Sequence, residues 1–247
     1  MLVHHFDTIP STNDHAQHLA VQGAPHGTVI HARQQTCGRG RAGRTFVSPQ
    51  GGLYFSLIVR PDLNHQQLPL VTLAAGVGIR EALKEISSLK KIRLKWPNDV
   101  YLRGAKIAGI LTQSGPVRSS ASPEFVIIGV GVNINTDAIL FPDKLRKNII
   151  SLFDATGNQY SLESSLKTSV RCLLKAIQLL QEDKKMLLAS WRAADYLHGK
   201  KVRYHTSKNN LSAQGMGLAD NGRYMILDET DQLHHVIAGD INPIQLH

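Results

Sequence analysis

The chain has 247 residues, room for one large domain, or for one large domain with a small companion. Hydrophobic residues make up 42% and charged residues 19%, ordinary for a globular protein. Lysine and arginine number 28 against 19 acidic residues; the resulting +9 suits a polyanion, an acidic protein or a phosphate-bearing substrate without choosing among them.

The opening segment, residues 2–6, is expected to be extended and to lead into a turn at Ile9-Pro10-Ser11-Thr12-Asn13. Ser11, Thr12 and Asn13 are all good helix N-caps, and a helix over 14–21 follows. Residues 28–34 read as a strand, 38–44 as a Gly/Arg loop, and 53–60 as a strand ended by Pro61. Leu70, Leu73, Ala74, Val77 and Ala82 mark one face of a long helix reaching about Ser88. Strands are predicted at 92–96, 100–102, 106–113 and 124–133. The most apolar run, 125–132, is short and broken by Gly129 and Gly131, so it reads as a buried strand and not as a membrane span. Leu166, Val170, Leu173, Leu174, Ile177 and Leu180 repeat with helical period, and a further helix over 187–196 is expected to close at Gly199. Short strands at 200–205, 213–219, 223–228 and 234–238, separated by turns such as Asp220-Asn221-Gly222, indicate a small β module too short to bury a comfortable core alone. The expected division is residues 1–197 and 198–247.

The termini and cysteines narrow the setting. The first residues lack the basic start, apolar run and small-residue cleavage site of a signal peptide, so a cytoplasmic location is the default. Cys37 and Cys172 lie far apart, which argues against a disulfide framework or a thiolate zinc site. Twelve histidines include the doublets His4-His5 and His234-His235. Neighbours on a strand point to opposite faces, so either doublet is a poor chelator, and no permanent metal site is expected.

Three segments carry chemistry. In Gly38-Arg39-Gly40-Arg41-Ala42-Gly43-Arg44 the glycines let backbone N–H groups approach a ligand, and the arginines supply forked donors for carboxylate and phosphate. Such a run repels itself, so it is expected to be mobile when empty and to order over an anion; a solvated linker or an RNA contact fits the same residues. In Lys95-Trp96-Pro97-Asn98-Asp99, Pro97 ends a strand in a polar turn. A hairpin turning at Arg103-Gly104-Ala105 would bring Lys106 back toward Asp99, as a catalytic pair or as a surface ion pair. Gly129-Val130-Gly131-Val132-Asn133-Ile134-Asn135 ends an apolar strand with glycines and amides, a close approach to a ligand or simply close packing.

These segments, with Ser11-Thr12-Asn13, Gln35-Thr36-Cys37 and Lys106-Ile107-Ala108-Gly109-Ile110-Leu111, occur in one order. Taken together the chain resembles the bacterial biotin–protein ligase family, also called biotin–[acetyl-CoA-carboxylase] ligase, over essentially its whole length. The resemblance implies an α+β fold: a mixed-sheet catalytic domain like class II aminoacyl-tRNA synthetases, with a small SH3-like barrel at the C-terminus. It implies an ATP-dependent, AMP-forming enzyme that makes biotinyl-5′-adenylate and transfers biotin to a lysine of the biotin carboxyl carrier protein of acetyl-CoA carboxylase. ATP with Mg2+ and biotin would be its small-molecule substrates. By matched position, Ser11, Thr12, Asn13, Gln35, Arg39, Gly40, Arg41 and Lys106 would bind biotin, and Arg41, Arg44, Lys95, Trp96, Asn98 and Asn133 ATP or the adenylate. Lys106, Arg39 and Asp99 would be catalytic. Asn98 and Asp99 suit either ATP–magnesium or the incoming lysine, and Trp96 either ligand stacking or the core.

Three departures stand out. Thr112-Gln113 follows Gly-Ile-Leu where the family often has Glu. Cys37 stands where a small residue is common, either as filler or, beside arginines that would favour its thiolate, as an alkylation-sensitive thiol. Only ten residues precede Ser11, which leaves no room for the N-terminal helix-turn-helix domain of bifunctional members, so a monofunctional ligase with no DNA or membrane partner is expected. Monomer and homodimer both stay open. A lipoate–protein ligase is the nearest alternative, and a basic RNA-binding module the alternative from another class.

Overall fold

The computed structural model describes residues 2–64, 67–117, 122–205 and 210–244; the side chains of 205 and 210 are not described. It is an α+β protein built on two sheets. The first has seven strands in the order β1-β2-β3-β7-β6-β5-β4: β1 Val3–Ile9, β2 Val29–Gln35, β3 Leu53–Val59, β4 Ile92–Lys95, β5 Asp99–Leu102, β6 Ala105–Ser114 and β7 Val126–Val132. β1 and β2 run parallel and the other neighbours antiparallel, which makes the sheet mixed. Every residue of the central strands β3 and β7 is buried, because helices cover both faces.

Helix α1 (Thr12–Val21) closes one face. Ser11 caps it by accepting from Asp14 N, and Ala16 and Ala20 pack on Ile30, Ile58, Phe125 and Ile127. On the other face lie α2 (Leu68–Ser87) and α5 (Leu162–Glu182), joined by α6 (Lys184–Arg192). Their axes come close because Gly78 faces the α5 backbone: a Cβ there would stand 2.9 Å from Cys172 O. Between β7 and α5 are α3 (Asp143–Arg146) and α4 (Leu152–Thr156), short helices without the periodic apolar stripe that reveals α2 and α5 in the sequence.

The second sheet has five antiparallel strands ordered β11-β10-β9-β8-β12, as expected of a small barrel-like module: β8 Lys201–His205, β9 Asn210–Leu218, β10 Tyr224–Asp228, β11 Leu233–Val236 and β12 Asp240–Pro243. It shares one continuous core with the first sheet, through Val202, Leu218, Tyr224 and Ile241. Tyr224 sits between Trp96 and Trp191, with ring centroids 6.1 and 6.4 Å away, and donates to Asp195 at 2.9 Å.

Two expectations need correction. The last helix stops at Arg192 instead of running to Tyr196, so Gly199, although at φ +75°, does not close it. Residues 194–196 leave the helix to bond the edge of β4, through Leu94 N to Ala194 O and Tyr196 N to Leu94 O, each 2.8 Å. β12 was not expected either. Its Asp-Ile-Asn-Pro text carries little apolar signal and becomes a strand only by pairing with β8, some 35 residues earlier.

Candidate active site

The C-terminal ends of β1 and β2, the 38–44 loop, the β5–β6 hairpin and β12 surround one cavity of about 280 Å3. It is lined by Ser11, Thr12, Asn13, Gln35, Arg39, Gly40, Arg41, Arg44, Lys95, Asn98, Asp99 and Lys106. Nearly every residue singled out in the sequence therefore converges on one place. Trp96 and Asn133 do not line it.

One wall is a network of neutral polar groups. The Gln35 carbonyl accepts from Thr12 N at 2.8 Å and from the Thr12 hydroxyl at 3.1 Å, while its amide donates to Ser48 at 2.9 Å. Ser56, fully buried on β3, lies 2.8 Å from Thr12 Oγ1 and 2.6 Å from Asn13 Oδ1 and can give its single proton to one of them. Asn13 Nδ2 donates to Gln113 Oε1 at 2.7 Å. Gln113, of the Thr112-Gln113 pair noted as a departure, thus orients Asn13. Gly129 makes room for that amide, since a Cβ there would lie 1.9 Å from Asn13 Oδ1.

The charged groups form a second network. Left-handed Arg103 (φ 52°) and Gly104 (φ 83°) turn the β5–β6 hairpin, and the Lys106 ammonium meets Asp99 Oδ1 at 2.7 Å. Asp99 pairs in register with Gly109, where a Cβ would stand 2.9 Å from Phe46 Cε2 and 3.1 Å from Lys106 Nζ, so both side chains pack closely over the glycine. Phe46 packs beneath, its ring centroid 5.7 Å from Lys106 Nζ. Arg41 donates to Asn98 Oδ1 at 3.2 Å, and Asn98 Nδ2 to Ile110 O at 2.7 Å. Burial is the largest influence on Arg41 and on Lys95, which is 7% exposed, and it lowers both pKa values despite nearby Asp240 and Asp99. Lys95 donates to Asn242 Oδ1 at 2.8 Å.

The loop keeps the like-charge repulsion expected of it, Arg44 against Arg41, but that repulsion is partly offset. Its arginines find acids outside it: Arg39 pairs with Asp14 at 3.0 Å and Arg44 with Asp240 at 2.8 Å, while Arg41 stands 4.0 Å from Asp240. Gly40 N to Arg44 O (2.7 Å) and Phe46 N to Gly38 O (2.8 Å) close its neck. Burial pushes the Asp240 carboxyl up, but the hydrogen bond from Arg44 and the charges of Arg44, Arg41 and Lys95 together outweigh it and hold the carboxyl below its ordinary value. Each pair is part-exposed, so each contributes at most about 1 kcal/mol. An arriving anion can displace them cheaply. All three arginines line the cavity, Arg39 and Arg44 while still exposed to solvent.

Trp96 is 4% exposed, donates from Nε1 to Gly222 O at 3.1 Å and packs between the two sheets, which is the core alternative raised for it. It borders a neighbouring cavity that shares Arg41, Ile110 and Leu111 with the first. Asn133 is buried and donates to Ile150 O at 3.3 Å, so it braces the segment behind Lys106. Cys37 is a free, exposed thiol, and Cys172 is buried, which raises its pKa. Asp240, Asn242 and Phe46 were missed. Asp240 and Asn242 come from a strand invisible in the sequence, and Phe46 lies just past the loop with no pattern to mark it.

The chain is similar to known proteins over most of its length. Residues 5–133 match the model of the Biotin/lipoate A/B protein ligase family. The chain is 31% identical over 242 residues to the bifunctional ligase/repressor BirA of Bacillus subtilis (strain 168), covering 97% of this chain and 73% of that one. It is also 31% identical to the biotin–[acetyl-CoA-carboxylase] ligase of Mycobacterium tuberculosis, with 94% and 85% covered. The solved biotin protein ligase of Aquifex aeolicus in complex with biotin and ATP superposes with a TM-score of 0.82 at 26% identity, covering 98% of this chain and 97% of that one. The chain belongs to the biotin/lipoate A/B protein ligase family. The relatives just described are all ligases, two of them named for biotin, and the chain is an enzyme of that kind.

Proposed function

We propose that the chain activates biotin with ATP as biotinyl-5′-adenylate and transfers it to a lysine of the biotin carboxyl carrier protein of acetyl-CoA carboxylase. The observation that carries this reading is the meeting, in one cavity, of Thr12, Gln35 and Asn13, held together by hydrogen bonds, with Arg39, Arg41, Arg44, Lys95 and Lys106. A ureido ring offers donors and an acceptor that match hydroxyls and amides. A carboxylate attacking a phosphate brings two anions together, and guanidinium and ammonium groups offset their repulsion and the charge growing at phosphorus.

Each residue takes a part. Ser11, Thr12, Asn13 and Gln35 hold the biotin head. Arg39, Gly40 and Arg41 cover its carboxylate and then the adenylate phosphate, exchanging Asp14 and Asp240 for substrate oxygens. Arg44, Lys95 and Asn98 serve the nucleotide. Lys106 contacts the reacting carboxylate or phosphoryl oxygen, and Asp99 holds that ammonium and can face the incoming amine. Trp96 and Asn133 act through packing. Asp240 and Asn242 join the nucleotide end, which makes the 198–247 module part of the working site beside the 1–197 catalytic unit. Magnesium arrives with ATP as part of the substrate. The names of the relatives favour biotin over lipoate, and competition by lipoate in the labelling assay distinguishes them.

The test is incubation with biotin, ATP, Mg2+ and a carrier domain, read as a mass shift on the acceptor lysine. Lys106→Ala and Arg39→Ala are each expected to lower adenylate formation about 100-fold or more with the fold retained. Unchanged labelling by both variants would refute the assignment.

A further inference from the structure

The His4-His5 doublet finds its partner across the sheet and not within itself. His5 on β1 and His31 on β2 are register partners in the parallel pair. Their Nδ1 atoms stand 3.1 Å apart, with the ring planes at 72°. His31 is 8% exposed and its Nε2 is buried without a hydrogen-bond partner, while His5 is exposed. Both border a cavity of about 620 Å3, also lined by Asp7, Arg33 and Glu163, that shares none of the residues of the active-site cavity.

Two imidazole nitrogens facing each other hold either one proton between them or a shared cation in its place. With metal–nitrogen bonds of about 2.0–2.1 Å, two nitrogens on one square-planar or tetrahedral ion lie about 2.9–3.4 Å apart. The observed spacing falls inside that window. We propose that His5 and His31 form a two-imidazole site for a borderline divalent transition cation of the Zn2+, Ni2+ or Cu2+ type, with solvent completing its shell. Imidazole selects these ions over Mg2+, which takes oxygen ligands.

The surroundings keep the ligands available. Arg33 opposes a cation, but its guanidinium is paired with Asp7 at 3.5 Å. Glu163 interacts electrostatically with His5 across the cavity and supplies negative charge, part of it already spent on Lys167 at 2.7 Å. Among the described residues no group of three or more His, Cys, Asp and Glu side chains gathers, so the chelate is bidentate and the ion exchangeable. A bound ion would tie β1 to β2 four residues before Gln35, and its binding energy would add to folding stability.

The untagged full-length protein is titrated with NiCl2 by calorimetry and melted with and without the ion. The wild type is expected to bind one nickel at this site and to gain thermal stability. His5→Ala removes an exposed side chain and should fold normally, yet weaken nickel binding by at least about tenfold and lose the stabilisation. His4→Ala, whose side chain points to the opposite face, should keep both. Nickel binding unchanged in His5→Ala, equal loss in His4→Ala, or no binding by the wild type overturns the proposal.

Discussion

A methyl group added at Gly131 tests whether Phe46 sets the position of the cationic loop. Gly131 lies on the fully buried strand β7, paired with Tyr54 on one side and Gly109 on the other, so its backbone has nowhere to go. A Cβ there would stand 2.3 Å from Phe46 Cε1 and 2.5 Å from Cζ, whereas ordinary contact begins near 3.4 Å. The half-buried ring must therefore retreat by about 1 Å. It carries the loop with it, because Phe46 N closes the loop neck on Gly38 O at 2.8 Å. A displacement of that size in a positioned catalytic group costs about 100-fold in rate. Because the yielding group is a partly exposed side chain, Gly131→Ala should cost only about 1–2 kcal/mol in stability, or a few degrees in Tm for a chain of this size. Pyrophosphate release with biotin and ATP, measured beside thermal unfolding, separates the two effects. In a Phe46→Ala background the three nearest of those contacts are gone, so the double variant should be no slower than Phe46→Ala alone. Full activity in Gly131→Ala, or the same loss with Phe46 removed, would show that the ring does not hold the loop.

Two further outcomes accompany the Lys106, Arg39 and nickel tests. Trp96→Phe keeps most of the buried ring but leaves Gly222 O without its 3.1 Å donor; it should destabilise the protein by about 1–3 kcal/mol in denaturant unfolding while adenylate formation persists, and a specific loss of ATP affinity instead would return Trp96 to the ligand. His31 stays neutral in the folded chain down to a pH of about 4, while the unfolded chain takes up that proton near 6.5. The unfolded state thus binds more protons in between, so up to about 3 kcal/mol of stability is present above pH 6.5 and is lost as the pH falls through about 4. Thermal melts across that range should show a shallower slope for His31→Gln than for the wild type; identical slopes would contradict the buried neutral imidazole.

Local text determined a good deal here by itself. The stripe from Leu166 to Leu180 is helical because only a 3.6-residue period places those side chains together, and it appears as α5. Ser11 caps α1, and Arg103-Gly104 turns the hairpin that carries Lys106 to Asp99, because cap and turn chemistry act within a few residues. What the tertiary structure alone decided is everything that depends on groups far apart in the chain. Asp240 meets Arg44 across 196 residues, and nothing near Asp240 marks it as part of a site. Gly129 and Gly131 left ligand approach and close packing both open along the chain; both line the cavity, and a Cβ on them would run into Asn13 and Phe46 respectively. Trp96 became core because the second sheet arrived over it with an acceptor at Gly222. Caps, turns and periods are short-range and can be read along the chain, whereas charge pairing and steric fit are set by which surfaces meet, and that is known only once the two sheets have packed.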